Sequence, residues 1–183
     1  MVLYGAVCSD SRQGARALLA LAAEEHWGFS ALPDIGTLPQ GKPVFSRCPE
    51  HEFNLSHSGP LALAGLDRLP LGVDIQLVRD FLPRLPLRTC SPAELAWLDR
   101  QPDRNAAFAQ LWALKECRVK ESGTGLRVPL REIRIPLPVP SDGAAAALDG
   151  LLFRTYRGED WAAAVCGHTE PPASILWRSP GEI

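Results

Sequence analysis

The chain has 183 residues, 46% of them apolar, and its 19 lysines and arginines against 21 aspartates and glutamates leave a formal charge of −2. That balance excludes a disordered chain and a sequence-independent nucleic-acid binder, which needs a basic face. It suits one ordinary domain, or two small lobes sharing a core.

Met1 to Cys8 is apolar but has no basic leader and runs straight into Ser9 and Asp10, so it reads as a first strand and not as a signal peptide. Asp10 is the N-cap of a helix that runs through Leu18, Leu19 and Ala22 to a stop at Gly28, with Arg12 and Arg16 on its polar face. Its apolar stretch from Leu18 to Ala23, like that of the first strand, falls far short of the ~20 residues that cross a bilayer. Strands are predicted over Leu61 to Leu66 and Leu71 to Gln76, joined by a hairpin turn at Asp67 to Pro70. Ser91-Pro92-Ala93-Glu94 is a capping box with proline at the first helical position, opening a short helix that ends near Arg100. The strongest helix starts near Asp103 and ends at Ser122, with Phe108, Leu111, Trp112 and Val119 at helical spacing and Gly123 as the stop. Ile133 and Ile135 mark a further strand, and Pro136 to Gly150 a surface loop without periodicity. A hairpin follows, from Leu151 to Tyr156 and Trp161 to Cys166, turning at Arg157 to Asp160. No repeat is visible. The five cysteines are scattered without a C-x-x-C pair, which fits reduced cytoplasmic thiols and no zinc cluster.

Three segments carry chemistry. In Leu71-Gly72-Val73-Asp74-Ile75-Gln76, alternation puts the apolar residues on one face and Gly72, Asp74 and Gln76 on the other. That second face meets water or lines a cleft, and taken alone the segment reads as solvent-exposed. On the long helix, Trp112, Glu116 and Lys120 share one stripe. A Glu–Lys pair so spaced is usually a surface ion pair, but Trp112 sets Glu116 at the border of a buried surface, where a carboxylate and an ammonium suit a phosphate-bound cation. Asn54-Leu55-Ser56-His57-Ser58-Gly59 reads as a polar turn ahead of a strand, or as a run of donors for an anion. His26, His51 and His168 have no paired ligand spacing and read as surface residues.

Taken in order, Gly41-Lys42-Pro43, Phe53-Asn54-Leu55-Ser56-His57-Ser58, Leu71-Gly72-Val73-Asp74 and Leu111-Trp112-Ala113-Leu114-Lys115-Glu116, with Lys120 and Gly123-Thr124-Gly125-Leu126, closely resemble the 4'-phosphopantetheinyl transferases of the surfactin-synthetase-activating type. The resemblance implies an α+β fold: a monomer of two similar α/β lobes, residues 1–72 and 73–183, each a small antiparallel sheet with a long helix. It implies a cytoplasmic enzyme that moves the phosphopantetheine arm of coenzyme A onto a serine of an acyl or peptidyl carrier protein, with Mg²⁺, releasing adenosine 3',5'-bisphosphate. Neither nucleic acid nor membrane is an expected partner. Carried over by position, Asp74 and Glu116 ligate Mg²⁺, Lys42, Ser56 and His57 hold the nucleotide and its phosphates, and Lys120 reaches the pyrophosphate. Glu116 is the expected base for the serine, with Lys120 as the alternative.

Two departures from the family pattern bear on these roles. Gln76 stands where a second acidic residue is usual, and its amide oxygen is a weaker ligand for the same ion. The N-terminus looks short of the leading strands that grip the 3'-phosphate, so Arg16, at a family basic position, is expected to take part of that task. Both departures suit the alternative of a lapsed coenzyme A or carrier-binding module, whereas Asp74, Glu116 and Lys120 favour the enzyme. A metal-dependent phosphohydrolase is a third reading. Arg79, Arg84 and Arg88 form either a basic rim for an acidic carrier or a solvated loop.

Overall fold

A computed structural model describes residues 1–179 and 181–183, which form a mixed α+β fold. Strand β1 (Val2–Val7) leads into helix α1 (Ser11–Trp27), whose N-cap Asp10 accepts from the Gln13 N–H at 3.0 Å. A two-stranded ribbon follows, β2 (Ile35–Thr37) and β3 (Pro43–Phe45), and then β4 (Glu52–Ser58), β5 (Leu61–Asp67) and β6 (Leu71–Leu77). Helices α2 (Arg84–Thr89), α3 (Pro92–Leu98) and α4 (Arg104–Ser122) precede strands β7 (Ala145–Leu148), β8 (Leu151–Arg157), β9 (Trp161–Gly167) and β10 (Leu176–Arg178). Among the described residues, no helix is long and apolar enough to cross a membrane.

Two four-stranded sheets result, ordered β10-β1-β5-β4 and β6-β9-β8-β7. Strand alternation distributes their side chains into layers. Tyr4, Ala6, Ala62, Ala64 and Leu66 bury one face of the first sheet under Leu18, Leu19 and Ala22 of α1. Its other face brings Leu3, Leu61 and Leu63 against Leu71, Val73, Ile75 and Val165 of the second sheet. Beyond that sheet, Phe153, Ala164 and Cys166 pack under Leu111, Leu114 and Cys117 of α4. Strand β10 runs back to pair in parallel with β1, where the Arg178 guanidinium lies 4.9 Å over the Tyr4 ring and 3.2 Å from the Glu25 carboxylate.

The sheets are joined where the edge of β6 meets the side chains of β4. Strand β6 is an edge strand, and its outward amides at Val73, Ile75 and Leu77 donate to Asn54 Oδ1, Ser56 Oγ and Ser58 Oγ of β4 at 3.1, 3.2 and 3.0 Å. The matching period of two on both strands makes this a ladder of side chains reading a backbone. On the far face of β6, Gly72 lets α4 lie directly against the strand. A Cβ there would stand 1.8 Å from the Cys117 carbonyl oxygen and 2.6 Å from the Glu121 nitrogen.

Several expectations are corrected. Asn54 to Ser58 is not a turn before a strand but β4 itself, because its alternate side chains have the β6 amides to satisfy. Asp67 to Pro70 is a crossover between sheets and not a hairpin, since both edges of β5 are already taken by β1 and β4 and β6 pairs with β9. Ile133 and Ile135 lie in irregular chain between Pro129 and Pro136, and the Ile133 carbonyl serves the Lys115 ammonium at 3.0 Å in place of a strand neighbour. Within the expected loop, Ala145–Leu148 adds an edge strand to β8. His51 is not a surface residue: its side chain is 11% exposed, against Trp27 and Phe29.

Replacing Gly72 by Ala forces a methyl group into the α4 backbone, which no rotamer relieves. The substitution is expected to cost about 3 kcal/mol, the upper end of ordinary overpacking, read as a lower urea midpoint.

Candidate active site

The site is built around one buried carboxylate. Asp74, on the face of β6 that looks at α4, is 2% exposed, so the solvent-facing reading of its alternation is overturned. Its Oδ1 accepts from Lys120 Nζ at 2.7 Å and from the Ser56 hydroxyl at 2.8 Å, and its Oδ2 accepts from Gln76 Nε2 at 2.8 Å. Lys120 also donates to the Val73 carbonyl at 3.0 Å and to Ser56 Oγ at 3.1 Å. Ser56 thereby uses its one donor and both lone pairs, the second lone pair taking the Ile75 amide, and keeps nothing free for another ligand.

Glu116 stands one turn before Lys120, half-buried. Burial pushes its carboxyl above the usual carboxylate range, the charge of Asp74 pushes further, and Lys120 offsets part of the rise. Two carboxylates with one shared ammonium form a cluster short of positive charge, and the oxygens of Asp74, Glu116 and Gln76 are the hard donors that Mg²⁺ takes.

Glu116 and Lys120 open into a cavity of about 260 Å³ walled by Lys42, Pro43, Asn54, Leu55 and Gly123. A second hollow of about 370 Å³ continues beyond Pro43 and Leu55, which line both, and it is bordered by Arg12, Arg16 and His57. Strand alternation explains the division of labour on β4. Asn54, Ser56 and Ser58 point to β6, whereas exposed His57 points into the groove. Lys42 reaches its place from the turn before β3, held 3.1 Å from Glu52 and 3.3 Å from the Glu121 carbonyl. The groove thus brings Arg16, His57, Lys42, Glu116 and Lys120 to one side of the molecule. On the other side of Gln76, a hollow of about 330 Å³ is lined by Arg79, Phe81, Leu82, Leu85 and Trp112.

Three residues that the sequence reading named without a role in the site contribute to it. Arg12 faces the same hollow as Arg16, one turn earlier on α1. Lys115 is 1% exposed and donates to Glu94 Oε1 at 2.8 Å, the Leu130 carbonyl at 2.8 Å and the Ile133 carbonyl at 3.0 Å. Glu94 also closes the capping box of α3 through the Ser91 amide at 2.6 Å. The signal for Lys115 was its place on the apolar stripe with Leu111 and Leu114. That buried ion pair fixes the rotation of α4, and hence where Glu116 points.

A family model described as the 4'-phosphopantetheinyl transferase superfamily matches residues 70–166. A 4'-phosphopantetheinyl transferase of Bacillus subtilis is 31% identical over 156 residues, 81% of this chain and 70% of its own length. The 4'-phosphopantetheinyl transferase Sfp of Bacillus subtilis strain 168 is 33% identical over 157 residues, 80% and 69% of the two chains. AcpT of Salmonella typhi, also named a 4'-phosphopantetheinyl transferase, is 36% identical over 128 residues, 66% and 67% of the two chains. The chain therefore belongs to the 4'-phosphopantetheinyl transferase superfamily. Its match to Sfp over four fifths of its length places it with the Sfp-type enzymes.

A carboxyl raised by burial is one the fold holds better protonated than ionised. Its contribution is present in acid and lost as pH rises through the raised value. Glu116→Gln is expected to raise the melting temperature of the metal-free protein at neutral pH, and the gain is expected to vanish near pH 4, below the usual glutamate value. Calorimetry at the two pH values checks it.

Proposed function

We propose that the protein transfers the 4'-phosphopantetheine arm of coenzyme A to a serine hydroxyl of a carrier protein, as a Mg²⁺-dependent cytoplasmic monomer of two halves, residues 1–72 and 73–183, the second of which begins inside β6 and returns β10 to the sheet of the first. The observation that carries this reading is the meeting of buried Asp74 with Glu116 and Lys120 at a groove whose other ionisable side chains, Arg12, Arg16, Lys42 and His57, are all basic. Arg12, Arg16 and His57 would take the nucleotide and its 3'-phosphate, and Lys42 and Lys120 the pyrophosphate. Ser56 would act through Asp74 and Lys120, which it already holds. Asp74, Glu116 and Gln76 would bind Mg²⁺, whose charge offsets that of the pyrophosphate.

The serine oxygen attacks the phosphorus next to the pantetheine arm, the phosphoanhydride bond breaks, and adenosine 3',5'-bisphosphate leaves with the electron pair. Glu116, its basicity raised, takes the serine proton. Lys120 is surrounded by oxygen acceptors and is suited to meet developing negative charge, which argues against it as the base. On the carrier side, Arg79, Arg84 and Arg88 lie in and around α2 with Leu82 and Leu87, which are 77% and 64% exposed. An apolar surface with a basic rim suits the acidic helix that presents the serine.

Incubation with an unmodified carrier, coenzyme A and Mg²⁺ is expected to add the mass of one phosphopantetheine arm to the carrier. Binding of carrier and coenzyme A without that gain identifies a lapsed module, and product released without carrier identifies a hydrolase. Asp74→Ala and Glu116→Ala are each expected to lower kcat by on the order of 10²–10³-fold, as removal of a principal charge-stabilising group does. Gln76→Ala is expected to cost far less, and Gln76→Glu to lower the Mg²⁺ concentration for half-maximal rate. Arg16→Ala and His57→Ala are expected to raise the KM for coenzyme A more than that for the carrier, an effect that weakens with salt.

A further inference from the structure

Away from the groove, the connection between β3 and β4 collects a thiol, a carboxylate and an imidazole in Cys48-Pro49-Glu50-His51. Cys48 Sγ, a Glu50 carboxylate oxygen and a His51 ring nitrogen all lie within 4.8 Å of one another. The His51 amide donates back to the Cys48 carbonyl at 3.0 Å, and this turn makes the side chains at its two ends converge. The imidazole is held in place, with Trp27 and Phe29 edge-on at centroid distances of 4.5 and 5.1 Å. Its Nδ1 is buried and has no hydrogen-bond partner among the described residues, although Glu50 Oε1 lies 3.1 Å away.

A buried ring nitrogen without a partner needs an explanation. The nitrogen and the carboxylate oxygen are close but are not aligned as donor and acceptor, which is how two ligands of one cation stand. Ligands of a tetrahedral Zn²⁺ with bonds of ~2.0–2.3 Å lie about 3.3–3.6 Å from one another. The Glu50–His51 separation is near that already, and the thiol, no more than 4.8 Å from either, has at most about 1.5 Å to close. Sulfur and imidazole nitrogen select a borderline-soft ion over Mg²⁺, so this ligand set differs in kind from the oxygens around Asp74.

We propose that Cys48, Glu50 and His51 form a Zn²⁺ site, with Sγ, one carboxylate oxygen and Nδ1 as ligands and water in the fourth position. On binding, the Cys48 thiol gives up its proton to solvent and the S–Zn bond forms, while His51 keeps its ring proton on Nε2. The ion fixes the turn of the β3–β4 connection, and with it the His51 ring that packs on Trp27 and Phe29. The site escapes a search for cysteine pairs because it contains one cysteine, and it departs from the expectation of no zinc centre.

The test is a Co²⁺ titration of the reduced full chain, since cobalt reports sulfur ligation by a near-ultraviolet charge-transfer band that a site of oxygen ligands does not give. One equivalent is expected to produce the band, Zn²⁺ to abolish it by displacement, and a large excess of Mg²⁺ to leave it unchanged. Cys48→Ser is expected to remove the band and His51→Gln to weaken Co²⁺ binding at least tenfold, whereas Cys8→Ser keeps both. Zn²⁺ is also expected to raise the melting temperature of the unaltered protein and not that of Cys48→Ser. Absence of the band in the unaltered protein, or its persistence in Cys48→Ser, overturns the proposal.

Discussion

Everything in the cleft depends on the way β4 closes the open edge of β6. An edge strand leaves a row of amides that must find acceptors, and each buried one left unpaired costs about 1–3 kcal/mol. Here the acceptors are side chains, Asn54, Ser56 and Ser58, not another backbone. The choice matters because a carbonyl only accepts, whereas a serine hydroxyl also donates. Ser56 accepts from the Ile75 amide on one side and donates its own O–H to Asp74 on the other. The seam between the sheets and the buried carboxylate are thus parts of one hydrogen-bond system, and the position of Asp74 is fixed by the same contacts that hold the sheets together.

Adjacent residues of α4 do opposite work. Lys115 and Glu116 are separated by about 100° around the helix, enough to send one into the core and the other into the groove. Lys115 is buried with a full set of acceptors, an expensive arrangement tolerable only because Glu94 and two carbonyls meet all three of its protons. Glu116 is left without such compensation, and its raised carboxyl is the chemical reserve of the site. Stability is concentrated on one face of the helix and reactivity on the next.

What the sequence made legible was whatever is local. The caps at Asp10, Ser91 and Asp103, the stops at Gly28 and Gly123, and the β8–β9 hairpin all follow from residues a few positions apart. The stripe of Trp112, Glu116 and Lys120 was legible for the same reason. The burial of Asp74 was not, because alternation says which residues share a face but not what covers it. The covering element, α4, starts thirty residues further on, and only Gly72 hinted at a close approach. The role of Asn54 and Ser58 was hidden likewise, since a polar run at a period of two reads as an exposed strand or turn until its partner is known. Strand β10 carries no pattern of its own, being three residues long and held by β1 and by Arg178.

The return of β10 to β1 also sets the order in which the molecule is completed as it is made. The first sheet's strands β1, β5 and β4 emerge early, yet the edge of β1 stays bare until residues 176–178 follow. At ~5–20 residues per second, the nascent chain carries that open edge for on the order of ten seconds. During this time the sheet that supplies Ser56 and His57 exists without its last strand, and the newly made protein offers a neighbour on the same messenger a template for pairing.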